Sequence, residues 1–269
     1  MEEATFVSGR TQIYGIIGDP ITQVRSPEMF SAEFVRRGIE ALLVPVHFLP
    51  ADFDAGVKAL KRMQNFGGFV FTIPYKARAV AHADSLGPQG TIVGAINVLA
   101  RRGDKWVGDI FDGLGCVEGF RSRGFSIKGQ RLMLIGAGGA GTAIGVAAAF
   151  EHPQSMRLFD PERPRAEALA EKIRRVDPAI EVTLGASTWR DMDIVLNASP
   201  VGMLDDPRMP LDIAEISPGV IVFDAIVKPE PTKFETLAAQ RGCRVVYGTE
   251  MIRGQLELVI DFLANRKPG

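Results

Sequence analysis

Short runs of apolar residues alternate with longer stretches in which apolar side chains recur every three or four positions. In the first part of the chain the short runs are "QIYGIIG", "ALLVPVHF" and "GGFVFT", and the longer stretches between them are "PEMFSAEFVRRG" and "ADFDAGVKALKRMQ". The short runs are typical of strands and the longer stretches of amphipathic helices. This βαβαβ order predicts a mostly parallel sheet flanked by helices.

The segment "VGAINVLARRGDKWVGD" interrupts this rhythm. It predicts two antiparallel strands joined by a turn at Arg102, Gly103 and Asp104. A second series of strands and helices then begins with "QRLMLIGAGGAGTAIGVAAAF", and the chain ends with the amphipathic stretch "TEMIRGQLELVIDFL". Because 269 residues suffice for two domains, we predict an α/β protein whose second domain starts near residue 105.

Composition and charge narrow the range of partners. A formal net charge of -1 gives no general attraction to nucleic acid or to an anionic membrane. The two cysteines and three histidines are scattered, which argues against a disulfide framework or a metal site. The polar N-terminus has no apolar signal region, and nowhere is there a run of about 18 uncharged apolar residues. We expect a cytoplasmic protein that binds a small molecule.

A glycine-rich turn lies between a predicted strand, "RLMLI", and a predicted helix, "TAIGVAAAF". Its residues match the dinucleotide-binding pattern G-x-G-x-x-G and are Gly136, Ala137, Gly138, Gly139, Ala140 and Gly141. Glycines at these positions permit a tight turn and let the backbone approach a pyrophosphate at the start of the helix. The alternative is a turn that serves packing alone.

Asp160 ends the next predicted strand, "MRLFD". A carboxylate at this place can accept hydrogen bonds from the ribose hydroxyls of NAD and would repel the 2′-phosphate of NADP. Arg163 and Arg165 follow closely and are able to pair with a 2′-phosphate. We therefore predict NAD as the cofactor, with NADP as the alternative.

The stretch "FTIPYK" raises a separate question, because an apolar strand ends there on a proline and a single lysine. Pro74 cannot donate to a sheet and fixes its own φ, so it marks the end of the strand. Lys76 is then held near a sheet edge, where it either faces water at the start of a helix or serves a site.

Several motifs together resemble those of the shikimate dehydrogenase family, including its quinate/shikimate branch. The motifs follow the family order over nearly the whole chain. They are, in order, "VFTIPYK" with Thr72, Pro74 and Lys76; "GAINV" with Asn97; "IFDGLG" with Asp112; the glycine-rich turn; "NASPVGM" with Asn197; Asp224 with Pro229 and Thr232; and "GTEMIRGQ" with Gly248, Met251 and Gln255.

The resemblance implies a substrate domain over 1–104, completed by a C-terminal helix over 249–269, and a Rossmann-like NAD(P)-binding domain over 105–248. It also implies reversible hydride transfer between a nicotinamide and shikimate, quinate or a related cyclic hydroxy acid, in a monomer or homodimer. Lys76 and Asp112 would then form the catalytic pair. The substrate-binding residues it implies are Ser26, Thr72, Asn97 and Gln255, and Asn197, Gly248 and Met251 would join the glycine turn in binding the cofactor.

The chain departs from the family pattern where the substrate carboxylate is bound. The family has two serines in S-x-S-P, whereas this chain has Val24, Arg25, Ser26 and Pro27, so we predict that Arg25 binds the carboxylate. Apolar residues also replace polar ones at Val70, Ile110 and Phe111. A dehydrogenase of another hydroxylated ring or polyol, or a nucleotide-sensing module without turnover, therefore remains an alternative.

Overall fold

The computed structural model describes residues 7–185, 191–227 and 230–265, which form two compact units. The first unit runs up to Phe111 and takes up the chain again from Leu256, and the second comprises Asp112–Gln255. Each unit contains one six-stranded sheet and several helices. The predicted α/β class is confirmed.

The sheet of the first unit has the strand order β2-β1-β3-β5-β6-β4. The strands are β1 (Gln12–Gly18), β2 (Ala41–His47), β3 (Phe66–Phe71), β4 (Ser85–Leu86), β5 (Val98–Arg102) and β6 (Lys105–Asp109). The helices are α1 (Ser26–Arg36), α2 (Phe53–Leu60) and α3 (Pro88–Val93), with a 3-10 helix at Arg78–His82. β1 pairs in parallel with β2 and β3, so these three strands end at the same edge.

The β5–β6 hairpin turns where the sequence predicted it. Arg102 pairs with Lys105, and Gly103 occupies the turn at φ +62°. The predicted domain boundary lies in this turn, between residues 104 and 105, whereas the two compact units divide between Phe111 and Asp112. β6 belongs to the first unit because it pairs with β5 on one side and β4 on the other.

The last helix, α8 (Gly248–Leu263), contributes its final turns to the first unit. There Arg37 Nη1 donates to Asp261 Oδ1 at 2.8 Å, and the ring of Phe262 packs edge-on against Phe111. Leu263 lies close to Gly68, where an added Cβ would meet Leu263 Cδ2 at 2.8 Å. A charged pair and apolar packing thus fix this end of the helix.

The sheet of the second unit has the order β12-β11-β10-β7-β8-β9, and its paired strands are all parallel. The strands are β7 (Arg131–Ile135), β8 (Ser155–Phe159), β9 (Glu181–Leu184), β10 (Ile194–Asn197), β11 (Ile221–Asp224) and β12 (Arg244–Val246). The helices are α4 (Asp112–Ser122), α5 (Gly139–Phe150), α6 (Arg163–Val176) and α7 (Lys233–Gln240), with a 3-10 helix at Ile213–Glu215. The strand order reverses between β10 and β7, which makes a topological switch point.

α5 is almost entirely apolar and is buried along most of its length. It is covered partly by α4, whose Gly113 approaches so closely that an added Cβ would lie 2.1 Å from the carbonyl oxygen of Ala143. Apolar residues on every face are expected of a helix enclosed by its own protein. Within the described ranges, no helix has the length and apolar character needed to cross a bilayer.

Candidate active site

The turn after β3 holds Lys76 at the carboxyl edge of the first sheet. Thr72 continues the pairing with β1 by donating its N–H to the Ile17 carbonyl at 2.9 Å, and Tyr75 closes the turn by donating to the Thr72 carbonyl at 2.9 Å. The buried Tyr75 hydroxyl donates to the Phe48 carbonyl at 2.5 Å. Lys76 is half-buried, and its carbonyl accepts the Ile96 N–H at 2.9 Å. The backbone that carries the lysine is therefore fixed.

Asn97 lies beside this turn and is nearly fully buried. Its carbonyl accepts the Phe71 N–H at 2.7 Å, and its own N–H donates to the Asp109 carbonyl at 3.1 Å. Its side-chain Oδ1 accepts the Phe111 N–H at 2.9 Å. The amide oxygen of Asn97 thus also has a structural role, because it fixes the backbone of Phe111, where the first segment of this unit ends.

Asp19 and His47 lie at the same edge and were missed by the sequence analysis. Asp19 follows β1, donates its N–H to the Ile73 carbonyl at 2.9 Å, and places Oδ1 2.9 Å from His47 Nε2 at the end of β2. Gly18 makes room for Thr72, since an added Cβ would meet Thr72 Cγ2 at 2.3 Å. Polar residues at the carboxyl ends of neighbouring parallel strands are the signal that could have identified this pair.

The two residues predicted to bind a carboxylate lie at the start of α1. Ser26 is the first residue of α1, and Arg25 precedes it at the N-cap position. Arg25 Nε donates to Glu28 Oε1 at 3.0 Å, and 40% of the Arg25 side chain is exposed. The guanidinium is therefore reachable from solvent and is paired with an acid on its own helix.

The residues that depart from the family pattern pack in the protein interior. Val70, Ile110 and Phe111 are all buried, and the Phe111 ring centroid lies 5.3 Å from that of Phe262. Their apolar character is accounted for by this packing. They are therefore weaker evidence for an apolar substrate than the sequence indicated.

Asp112 and Gln255 belong to the second unit, whereas Lys76 belongs to the first. Asp112 begins α4 and is 3% exposed. Gln255 is also buried and lies against Gly115, where an added Cβ would meet Gln255 Cβ at 2.8 Å. The pairing of Lys76 with Asp112 remains a prediction.

The glycine-rich turn has the backbone geometry that its sequence predicts. Gly136 has φ +92° and donates its N–H to the Phe159 carbonyl at 2.7 Å. A Cβ on Gly141 would lie 1.9 Å from the Gly136 carbonyl oxygen, so no larger residue fits there. At Gly138, by contrast, an added Cβ would meet nothing within 4 Å. Open space at the start of the twelve-residue helix α5 fits a pyrophosphate bound by backbone N–H groups.

Asp160 follows β8 and is tied to the glycine turn. Its Oδ2 accepts the Ala137 N–H at 2.7 Å, and its Oδ1 accepts the Glu162 N–H at 2.8 Å. Arg163 Nε donates to Glu167 Oε1 at 2.8 Å, and Arg165 Nη2 lies 2.9 Å from Glu162 Oε1. Both arginines are therefore engaged in exposed ion pairs with acids of the same segment.

Asn197 ends β10 beside the switch point and is wholly buried. Its Nδ2 donates to Asp224 Oδ1 at 3.0 Å, and its Oδ1 accepts from Ser199. Burial raises the pKa of Asp224 to about 6. Gly248 and Met251 lie in the first turn of α8, and Pro229 lies outside the described residues.

No group of three or more histidine, cysteine, aspartate or glutamate side chains within residues 7–185, 191–227 and 230–265 is arranged to hold a metal ion. The thiol of Cys116 is wholly buried next to Asp112, and burial raises its pKa above the ordinary range.

Comparison with known proteins places these features in a family. The family model for the shikimate dehydrogenase substrate binding domain matches residues 16–99. Shikimate dehydrogenase (NADP(+)) of Citrifermentans bemidjiense is 31% identical over 260 residues, which cover 93% of this chain and 89% of that protein. Quinate/shikimate dehydrogenase of Escherichia coli is 30% identical over 261 residues, which cover 93% and 90% of the two chains.

The solved structures agree with the sequence relatives. The crystal structure of shikimate 5-dehydrogenase from Listeria monocytogenes in complex with shikimate and NAD matches with a TM-score of 0.84 and 26% identity. The match covers 97% of this chain and 94% of that one. The fold is thus shared along nearly the whole length, relatives of 30% identity or more cover about nine tenths of this chain, and the chain belongs to the shikimate dehydrogenase family.

Proposed function

We propose that the protein is an NAD(P)-dependent dehydrogenase that catalyses reversible hydride transfer between the cofactor and shikimate, quinate or a related cyclic hydroxy acid. The observation that carries this proposal is the open glycine turn joined to Asp160, in a chain whose first part matches a substrate-binding domain. Relatives named for shikimate and quinate, and a neighbour that binds shikimate and NAD, support the substrate class.

The second unit would bind the cofactor through its backbone. The N–H groups at the start of α5 face the place where a pyrophosphate fits, and the positive end of the helix dipole favours its charge. Asp160 would accept hydrogen bonds from the ribose hydroxyls, with NAD preferred and NADP as the alternative. Asn197, Gly248 and Met251 would line the nicotinamide half. When bound, the nicotinamide accepts a hydride from the carbinol carbon or returns it to the ketone.

Lys76 would manage the proton of the reacting hydroxyl. In ketone reduction its ammonium group would stabilise the developing oxyanion and donate a proton to that oxygen as the hydride arrives, and in alcohol oxidation the neutral amine would accept the hydroxyl proton as the hydride leaves. Asp112 would hold and orient this ammonium group as its negatively charged partner. The fixed backbone of the turn around Lys76 supports this role, because a positioned acid–base group must not drift.

The remaining predicted residues would position the ring. Thr72 at the carboxyl edge and Asn97 beside it would bind ring hydroxyls, together with Gln255. Ser26 and Arg25 at the start of α1 would bind the carboxylate. We further propose a cytoplasmic monomer or homodimer whose partner is a small molecule rather than nucleic acid or a membrane.

A second candidate is a dehydrogenase of another hydroxylated ring or polyol. It is favoured by Val24, which replaces one serine of the family pair, and by the hydrogen bond that engages Arg25 with Glu28 of its own helix. A nucleotide-sensing module without turnover is disfavoured because both Lys76 and Asp112 are kept.

The test is reduction of NAD and of NADP, followed by nicotinamide absorbance, with shikimate, quinate and a panel of cyclic and linear polyols. Turnover of shikimate or quinate supports the first proposal, and turnover of a polyol alone supports the second. Calorimetric binding of NAD without turnover of any compound would instead support a sensing module.

A further inference from the structure

Asp224 is a wholly buried carboxylate for which the proposed mechanism has no use. It ends β11, where Oδ1 accepts the Asn197 Nδ2–H at 3.0 Å and the Ile226 N–H at 3.1 Å. Its Oδ2 accepts the Thr232 hydroxyl at 3.0 Å. A carboxylate without solvent is retained only where such bonds satisfy it, so its orientation is set.

This carboxylate decides which way the amide of Asn197 faces. A carboxylate next to an amide side chain accepts hydrogen bonds, so Asn197 must present its NH₂ group to Asp224. The amide oxygen then points the other way, where it accepts the Ser199 N–H at 3.1 Å and the Ser199 hydroxyl at 2.7 Å. The hydroxyl of Ser199 in turn accepts the Val201 N–H at 3.3 Å. Asp224 thereby fixes the loop that follows β10.

That loop lies directly against the glycine turn. An added Cβ on Gly136 would meet the Ser199 nitrogen at 2.8 Å and the Ala198 carbonyl carbon at 2.9 Å, and one on Gly141 would meet Ala198 Cβ at 3.4 Å. The two segments follow β10 and β7, between which the strand order reverses. Dinucleotides bind in the crevice outside such a switch point, so the loop borders the cofactor site.

Gly248, a second residue predicted to bind the cofactor, packs against the backbone that follows β11. Gly248 begins α8, and an added Cβ there would lie 2.3 Å from the Ile226 carbonyl oxygen and 3.0 Å from that of Asp224. Asn197 and Gly248, both predicted to contact the cofactor, therefore share one buried anchor.

We propose that Asp224 is a positioning residue for the dinucleotide site, which sets the Asn197 amide and through it the loop against the glycine turn. Asp224 does not touch the cofactor itself. The inference rests on the proposed function, since it names a residue that shapes the cofactor site of that enzyme.

The test compares Asp224→Ala with Asp224→Asn by isothermal titration calorimetry with NAD. Asp224→Ala removes both carboxylate oxygens. It should raise the Kd for NAD at least about 10-fold, which is the effect of losing one buried hydrogen bond of ordinary strength. Asp224→Asn keeps an oxygen for Asn197 and Ile226, so its Kd should stay within about threefold of wild type. The KM for the ring substrate at saturating cofactor should be unchanged in both.

Thr232→Val provides the matched control. It removes the hydrogen bond to Asp224 Oδ2 and the cap of α7, and so lowers Tm, but it leaves the bond to Asn197 intact. Its Kd for NAD should stay near the wild-type value. An equal loss of NAD affinity in Thr232→Val and Asp224→Ala would show general destabilisation and overturn the proposal.

Two further outcomes are decisive. If Asp224→Ala does not fold, Ser199→Ala replaces it, because it deletes only the hydroxyl bonded to Asn197 and should weaken NAD binding about threefold. An unchanged Kd for NAD in Asp224→Ala, or in Ser199→Ala where that variant replaces it, overturns the positioning role while the proposed function stands. A wild-type protein that binds neither NAD nor NADP overturns both.

Discussion

Asp160 accepts the backbone N–H of Ala137 at 2.7 Å, so the residue predicted to meet the cofactor ribose also holds the glycine turn. Its second oxygen holds the Glu162 N–H at 2.8 Å, at the entrance to α6. A charge anchored in this way cannot move aside for a 2′-phosphate without breaking both bonds. The geometry of the turn thus depends on the carboxylate that we predict to determine cofactor choice.

The first prediction concerns cofactor choice. We expect wild type to have a higher kcat/KM with NAD than with NADP at equal salt, because Asp160 and a 2′-phosphate repel each other. Asp160→Asn removes the charge and keeps one acceptor oxygen, so the NADP to NAD ratio of kcat/KM should rise roughly 10-fold, which is about 1.4 kcal/mol.

Glu171→Gln is the control for this prediction, because it removes an exposed charge farther along α6, where its ion-pair partner is Arg175 and not Arg163 or Arg165. This variant should keep the NADP to NAD ratio of kcat/KM within about twofold of the wild-type ratio, because most exposed ion pairs contribute little. A clear preference of wild type for NADP would show that Arg163 or Arg165 leaves its glutamate for the phosphate.

The second prediction concerns Lys76. Lys76→Ala should lower kcat on the order of 100-fold or more, the usual effect of removing a positioned acid–base group. The calorimetric Kd for NAD should change little, since the glycine turn lies in the other unit. Lys105→Ala, an exposed lysine on β6, serves as the control and should be fully active. Near wild-type turnover in Lys76→Ala would remove the lysine from the mechanism.

Much of this arrangement could be predicted because it is local in sequence. Pro74 marked the end of β3, Gly103 the hairpin turn, and the glycine pattern the start of α5, and the structure has each of them. Such features depend on backbone restrictions that single residues impose.

What could not be predicted depends on pairing between distant segments. The bond between Asn197 and Asp224 requires β10 and β11 to align in register, which no local pattern specifies. The hydrogen bond between Asp19 and His47 likewise depends on β1 and β2 ending together. Burial of Phe111 against Phe262 needs the last helix to return to the first unit.

The third prediction concerns the pH dependence of stability and follows from Glu235, a buried residue of α7. Burial raises its pKa to about 8, with further increases from the charges of Asp224 and Glu230. Its Oε2 accepts the Thr232 N–H at 2.7 Å as part of a capping box. A raised pKa in the folded state means that the protonated form is favoured there. The contribution of Glu235 to stability is therefore complete below about pH 4.5 and is lost as the pH rises through about 8.

Glu235→Gln stays neutral at every pH and keeps an oxygen for the Thr232 N–H. We expect its Tm to exceed that of wild type by roughly 3 °C or more near pH 9 and to differ little near pH 5. Glu181→Gln on the exposed side of β9 should leave the wild-type pH profile unchanged. A parallel fall of Tm in wild type and Glu235→Gln between these pH values would refute the assignment.

The last prediction concerns Arg25, whose Nε donates to Glu28 Oε1 at 3.0 Å. An exposed ion pair of this kind contributes only about 0.2–1 kcal/mol. A bidentate contact with a carboxylate contributes roughly 1.5–3 kcal/mol. The substrate can therefore displace Glu28, and Arg25→Ala should raise the KM for shikimate and quinate roughly 10-fold. Glu28→Gln should lower the KM for shikimate and the KM for quinate, because it frees the Arg25 guanidinium without removing it.

The comparison with an uncharged substrate separates a carboxylate contact from a general effect on α1. A cyclic polyol that lacks the carboxylate should show the same KM in wild type, Arg25→Ala and Glu28→Gln, and the double variant should behave like Arg25→Ala alone. Since Val24 supplies no hydroxyl beside Arg25, we also expect a high wild-type KM for shikimate. An unchanged KM for every acid in Arg25→Ala would leave the arginine on the surface with Glu28, and a low wild-type KM for shikimate would show that Ser26 and its neighbours bind the ring without a second serine.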